Sequence, residues 1–140
     1  MRLKSLPRKI ALIALGVLPL AACGNKTEAL CTDSEVLKTL QKLVEQDEFG
    51  AGAQLLPDIF SIRSGSATYV STDSQRGTVR CSAIAVSDQL KLMGFGRSEE
   101  DIAKLKVEAP KHGVPLTKEH VVHFTVQSMA NDQVYVTLVK

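Results

Sequence analysis

Tryptophan is absent from this 140-residue chain, and four phenylalanines and two tyrosines are its only aromatic residues. Most of these fall in segments that read as core or paired strand, which leaves little for a sugar-binding or base-stacking platform. The common catalytic and cofactor signatures are missing as well. There is no G-x-S-x-G, no P-loop, no G-x-G-x-x-G and no C-x-x-C. Gly94-Phe95-Gly96 is a G-x-G without the third glycine or a βαβ context. No apolar run reaches the roughly 20 residues that a membrane-spanning helix needs. Internal repeats and low-complexity segments are also lacking.

The titratable residues give no clear chemistry. His112, His120 and His123 are the only histidines. On a strand, His120 and His123 are an odd number apart, so their side chains face opposite ways and cannot share a metal without a bulge. Glu99, Glu100 and Asp101 are adjacent, which suits a solvated first helical turn better than an acid–base pair. Ser61, Ser64, Ser66, Ser71 and Ser82 lie in β-like sequence, and none has an adjacent base to activate it. No metal or cofactor is expected, and the chain reads as non-enzymatic. A hydrolase whose site is dispersed along the sequence is the competing possibility.

What is present is concentrated at the N-terminus. Arg2, Lys4, Arg8 and Lys9 make a positive start, and Ile10 to Leu20 is an apolar run broken only by Gly16 and Pro19. Leu20-Ala21-Ala22-Cys23 closes it. A buried core helix is the alternative, but four basic residues before the run and a cysteine after it are poor core material. This stretch has the three parts of a secretory signal, and its last four residues resemble the lipobox of bacterial lipoproteins. The resemblance implies cleavage after residue 22, a diacylglycerol thioether on Cys23, and further acylation of its amine in most Gram-negative bacteria. Several acyl chains hold far better than one, at about 0.8 kcal/mol per buried CH2. Gly24, where an aspartate would be an inner-membrane retention signal, implies the outer membrane.

Cleavage changes the composition. Of 17 Lys+Arg and 15 Asp+Glu, the signal removes four basic residues and no acidic one, leaving 13 against 15, a formal −2. No basic face for nucleic acid is therefore expected. Lipid on Cys23 leaves Cys31 and Cys81, which are expected to pair in an oxidising periplasm; two separate buried thiols are the alternative. Residues 23–30 read as the lipidated cysteine and a short tether, whose seven residues after Cys23 span about 25 Å at full extension. Residues 31–140 suit one small domain.

Within that domain, Thr32-Asp33-Ser34-Glu35 offers a T-x-x-E capping box. Val36, Leu37, Leu40, Leu43 and Val44 then recur at helical spacing, predicting a helix over 33–48 that Gly50 and Gly52 stop. Period-two sequence predicts strands over 59–64, 67–72, 78–86, 121–128 and 134–139, with a bulge or bend at Gly65. Val79, Cys81, Ala83 and Ala85 make an inward face; Arg80, Ser82 and Ile84 make the opposite one. The last two strands form a hairpin about Asn131-Asp132. The expected fold is α+β: one N-terminal helix on an antiparallel sheet of about four strands, cystatin-like in arrangement. A loop or short helix over 90–118 is inserted between strand pairs, with Ser98 as a helix cap.

That insertion is either a contact surface or a small helix closing one end of the core. Flanking glycines make Phe95 expected to project, so Phe95, Lys104 and Lys106 are the candidate partner-contact residues. The expected function is that of an outer-membrane-anchored periplasmic lipoprotein acting by protein–protein contact. It would be an accessory or assembly factor of an envelope system for secretion, conjugation or exclusion. The alternative is a ligand-binding lipoprotein or an inhibitor of a periplasmic enzyme.

Overall fold

Residues 27–56 and 58–140 are described by a computed structural model. The segment read as a signal, residues 1–22, and Cys23 lie outside the described residues. Regular structure precedes the disulfide. Residues 27–29 hold helical backbone, and a 3-10 turn, Leu30–Thr32, places Leu30 against the core.

Helix α1 spans Ser34–Phe49. Its cap is Asp33 rather than Thr32. The Asp33 carboxylate accepts from the Glu35 and Val36 N–H groups at 2.9 and 3.1 Å, and its charge also suits the positive end of the helix dipole. Thr32 is held in the preceding turn, where its hydroxyl donates to the Ala29 carbonyl. The predicted apolar spacing buries Val36, Leu40 and Val44 on one stripe, with Leu37 and Phe49 packed beside them. Leu40 is fully enclosed, a burial that stabilises by about 1.5–3 kcal/mol. The helix ends at Gly50, and a 3-10 turn, Gly50–Gln54, leads away from it.

The sheet comprises β1 (Phe60–Ile62), β2 (Thr68–Asp73), β3 (Thr78–Asp88), β4 (Thr117–Ser128) and β5 (Val134–Val139), all antiparallel. β1 and β2 both pair with β3, at its two ends, so they occupy one column of a β1/β2–β3–β4–β5 sheet. Between them the chain bends at Gly65, whose φ of 72° is left-handed and disfavours residues with a Cβ. The expected α+β fold, with one long helix on an antiparallel sheet of four columns, is the observed one. The strands over 59–64 and 121–128 differ from expectation in length. The first shortens because Arg63 to Ala67 bends. β4 instead begins at Thr117, pairing along the whole of β3 from Asp88↔Thr117 to Thr78↔Gln127.

Alternation sorts the faces as expected. Val79, Cys81, Ala83 and Ala85 of β3 and Phe124 and Val126 of β4 are buried, and form one core with α1, Ile59 and Phe60. Cys31 and Cys81 are bonded, with both residues fully buried and their Cα atoms 5.7 Å apart. The bridge fastens the entry to α1 onto the middle of the sheet. On the outward face, Arg63 and Glu119 form an ion pair.

Candidate functional site

The insertion between β3 and β4 is more than a loop with one helix. It is a helical hairpin, α2 (Gln89–Gly94) and α3 (Glu99–Lys111). Asp88, the last residue of β3, starts α2 by accepting the Lys91 N–H at 2.9 Å. Ser98 caps α3 as predicted, accepting the Asp101 N–H at 3.2 Å and donating to the Asp101 carboxylate at 2.9 Å. Pro110 sits in the final turn of α3, and Gly113, with a left-handed φ of 73°, closes the helix by letting the Gly113 and Val114 N–H groups bond the Pro110 and Ala109 carbonyls at 3.1 and 2.9 Å.

α3 packs chiefly on α2 rather than on the sheet. The contact is close because Gly94 lies under Ile102; a Cβ there would meet Ile102 Cγ1 at 2.9 Å. Gly94 and Ala109 are buried, and Ile102 and Leu105 are half-buried. Phe95 follows α2 directly and is 58% exposed. Lys104 and Lys106 flank Leu105, about 200° apart on the helix at 100° per residue, so they do not share a face. Lys104 pairs with Glu100 at 2.8 Å, whereas Lys106 makes no ion pair among the described residues.

The β3–β4 ladder separates two ends of the molecule. Its ten steps from Thr78 to Asp88 cover about 33 Å at the usual rise of a strand. The α2–α3 hairpin leaves one end. At the other end are the β2–β3 turn, residues 74–77, and the β4–β5 turn, residues 129–133. Gln127 ties these turns together by donating to the Arg76 carbonyl at 3.3 Å. The N-terminal segment sits at this second end too, since Thr27, Ala29, Leu30 and Asp33 line one groove with Ser128.

A second polar feature, Ser87, escaped the sequence reading, which stopped the strand at Val86. Extending the alternation by one step would have placed Ser87 inward, where it is 1% exposed. Its hydroxyl accepts from Gln89 Nε2 at 2.8 Å, donates to the Lys118 carbonyl at 3.2 Å, and lies 3.3 Å from His120 Nε2. A hydroxyl has one proton and two lone pairs. Giving the proton to Lys118 puts an N–H on His120 Nε2, which then donates to Ser87. His120 is thus a donor to a sealed serine, not a base beside an accessible one. It also stacks edgewise on Phe60, with ring centroids 5.9 Å apart. The group ties β3, β4 and the start of α2 together.

His123 points to the exposed face, as the odd spacing requires, and His112 is exposed at the end of α3, 4.0 Å from Glu108. Among the described residues no three His, Cys, Asp or Glu residues could hold a metal ion. Nor is any helix there long and apolar enough to cross a membrane. Glu45 is a buried carboxylate on the inner face of α1, and it accepts the Phe60 N–H at 3.4 Å. That bond connects helix to sheet and is remote in role from the exposed acids of α3. No protein-family model, curated protein or solved structure matches the chain.

Proposed function

We propose that the protein is an outer-membrane-anchored periplasmic lipoprotein that works by protein–protein contact, as an accessory or assembly factor of an envelope system. Attachment rests on Leu20-Ala21-Ala22-Cys23. The contact surface is the α2–α3 hairpin, and the observation that carries this is the exposure of Phe95. An aromatic ring held outside the core at the end of a two-helix projection contributes nothing to folding that its burial would not improve. Aromatic residues, phenylalanine included, are also enriched at protein interfaces relative to the rest of the surface. Lys106, which makes no ion pair among the described residues, adds a cation nearby in sequence and suits a partner with acidic groups around an apolar pocket.

The test is an in-cell photocrosslink from Phe95, followed by mass spectrometry. Recovery of one defined component of an envelope assembly is the expected result. Recovery of a periplasmic enzyme in its place would favour the inhibitor reading, and no protein adduct under any condition would refute both. Attachment has a separate test. Cys23→Ser should abolish lipid labelling and leave a precursor of unchanged length.

A further inference from the structure

We infer that the end of the sheet formed by the β2–β3 and β4–β5 turns is a bilayer-facing surface, which lies on neutral phospholipid headgroups. The inference rests on the proposed lipidation of Cys23. It adds which face of the domain meets the membrane.

The first argument is reach. Residues from Thr27 onward are fixed on the domain, and four Cα steps separate Thr27 from Cys23, about 14 Å at full extension. The ladder from Thr78 to Asp88 is more than twice that length. Thr27 and Leu30 share a groove with Ser128, the last residue of β4. Leu30 packs on the core, and the bridge from Cys31 to Cys81 stops any peeling of this segment at Cys31, which is bonded to β3 three residues from its turn end. A lipid held by Cys23 therefore keeps the turn end, and not the α2–α3 end, near the bilayer.

The second argument is what the turn end displays. Met129 sits in the β4–β5 turn and is 45% exposed, and Tyr135, opposite Gln127 one rung before the turn, is 66% exposed. Val134, Val70 and Tyr69 are exposed near the same end. The Tyr69 hydroxyl bonds Thr72 at 2.8 Å, which directs the ring towards the turn. These five are half of the ten large apolar side chains exposed among the described residues. Tyrosine, with an apolar ring and a polar tip, favours the headgroup level of a membrane. The charged neighbours fix the lipid class. Among the described residues, Glu28, Asp33, Asp73 and Asp132 at this end outnumber Arg76 and Arg80, so attraction to anionic lipid is not the driving force.

The absence of tryptophan makes the test direct. Full-length lipidated Met129→Trp, Tyr135→Trp and Phe95→Trp each carry a single indole reporter. Each is reconstituted in phosphatidylcholine vesicles with a doxyl label high on the acyl chain. The first two reporters should shift to the blue and be quenched roughly twofold or more, since such contacts reach about 5–10 Å into the headgroup boundary. The Phe95→Trp reporter should be unaffected. Vesicles that float with the protein but leave the Met129→Trp and Tyr135→Trp reporters unquenched would overturn this face while keeping the anchor. The same holds if only the Phe95→Trp reporter is quenched. A blue shift that tracks protein concentration without lipid would assign the face to a second copy of the chain. A protein that does not float overturns the anchor and this inference together.

Discussion

Ser66 Oγ accepts the Ile84 N–H at 3.0 Å, across the gap where the first column of the sheet is broken. A side chain thus substitutes for the backbone carbonyl that a continuous strand would have supplied. The same hydroxyl donates to the Arg63 carbonyl at 2.7 Å, so it closes the bend as well as the ladder. One serine lets β1 and β2 share an edge of β3 without leaving an amide of that central strand unpaired.

Replacing Ser66 with alanine should therefore destabilise the domain more than an exposed serine would suggest. An amide left without a partner costs about 1–3 kcal/mol, and partial access of water puts this one near the lower bound. A urea titration read by circular dichroism should show a lower midpoint with an unchanged slope. Ser64→Ala, one step outside this geometry, should leave the midpoint where it is.

Reduction of the bridge between Cys31 and Cys81 should lower stability substantially. Closing a loop with a sequence separation of 50 is worth about 4 kcal/mol in the chain-entropy model. Denaturant unfolding with and without a reductant measures the difference. Alkylation in denaturant without reductant should modify neither residue, and two modified thiols would refute the bond.

Gly94→Ala puts a methyl group 2.9 Å from Ile102 Cγ1. Overpacking of this kind costs about 1–3 kcal/mol. Because α3 packs chiefly on α2, the effect should be local, seen as faster amide exchange in α3 with little change in the sheet. Ile102→Ala in the same chain should return much of the protection, and a double-mutant cycle would expose that coupling.

Lys140 bonds Asp47 at 2.6 Å, joining the end of β5 to α1. The hydrogen bond first, and then the opposite charge, raise the lysine above its ordinary value of 10.5. A raised lysine contributes fully below its unfolded value and loses that contribution only as pH climbs through the folded one. The pair should therefore add no slope to thermal stability between neutral pH and pH 9. Lys140→Met should leave the shape of that profile intact and alter it only above about pH 10.

Local signals made most of the fold readable. Helical spacing of Val36, Leu40 and Val44 and strict alternation from Val79 to Ala85 each depend on neighbours within a few residues. The bend at Gly65 and the cap at Ser98 were equally local. What escaped was decided across the fold. Thr117 to His120 become strand because β3 offers unpaired partners as far as Asp88, which no nearby residue announces. Asp33 displaces Thr32 as the cap because the turn before α1 is committed to the disulfide. Among the candidate contact residues, Phe95 was legible from its glycines. The opposed directions of Lys104 and Lys106 follow from their two-residue spacing on a helix and were equally legible, whereas Ser87 was hidden by ending its strand one residue early.

The bridge also determines how a pull would travel through the molecule. Tension applied at an N-terminal anchor and opposed by a partner on the α2–α3 hairpin would enter at Cys31 and cross to Cys81. It would then leave along β3 from Cys81 to Asp88. Helix α1, β1 and β2 all lie in the loop that the bridge closes, outside that load path. β3 is already extended over this stretch, so the force would run along its covalent backbone and load few of the hydrogen bonds to its neighbours. The domain is in this sense a short covalent strut with its helix hung beside it.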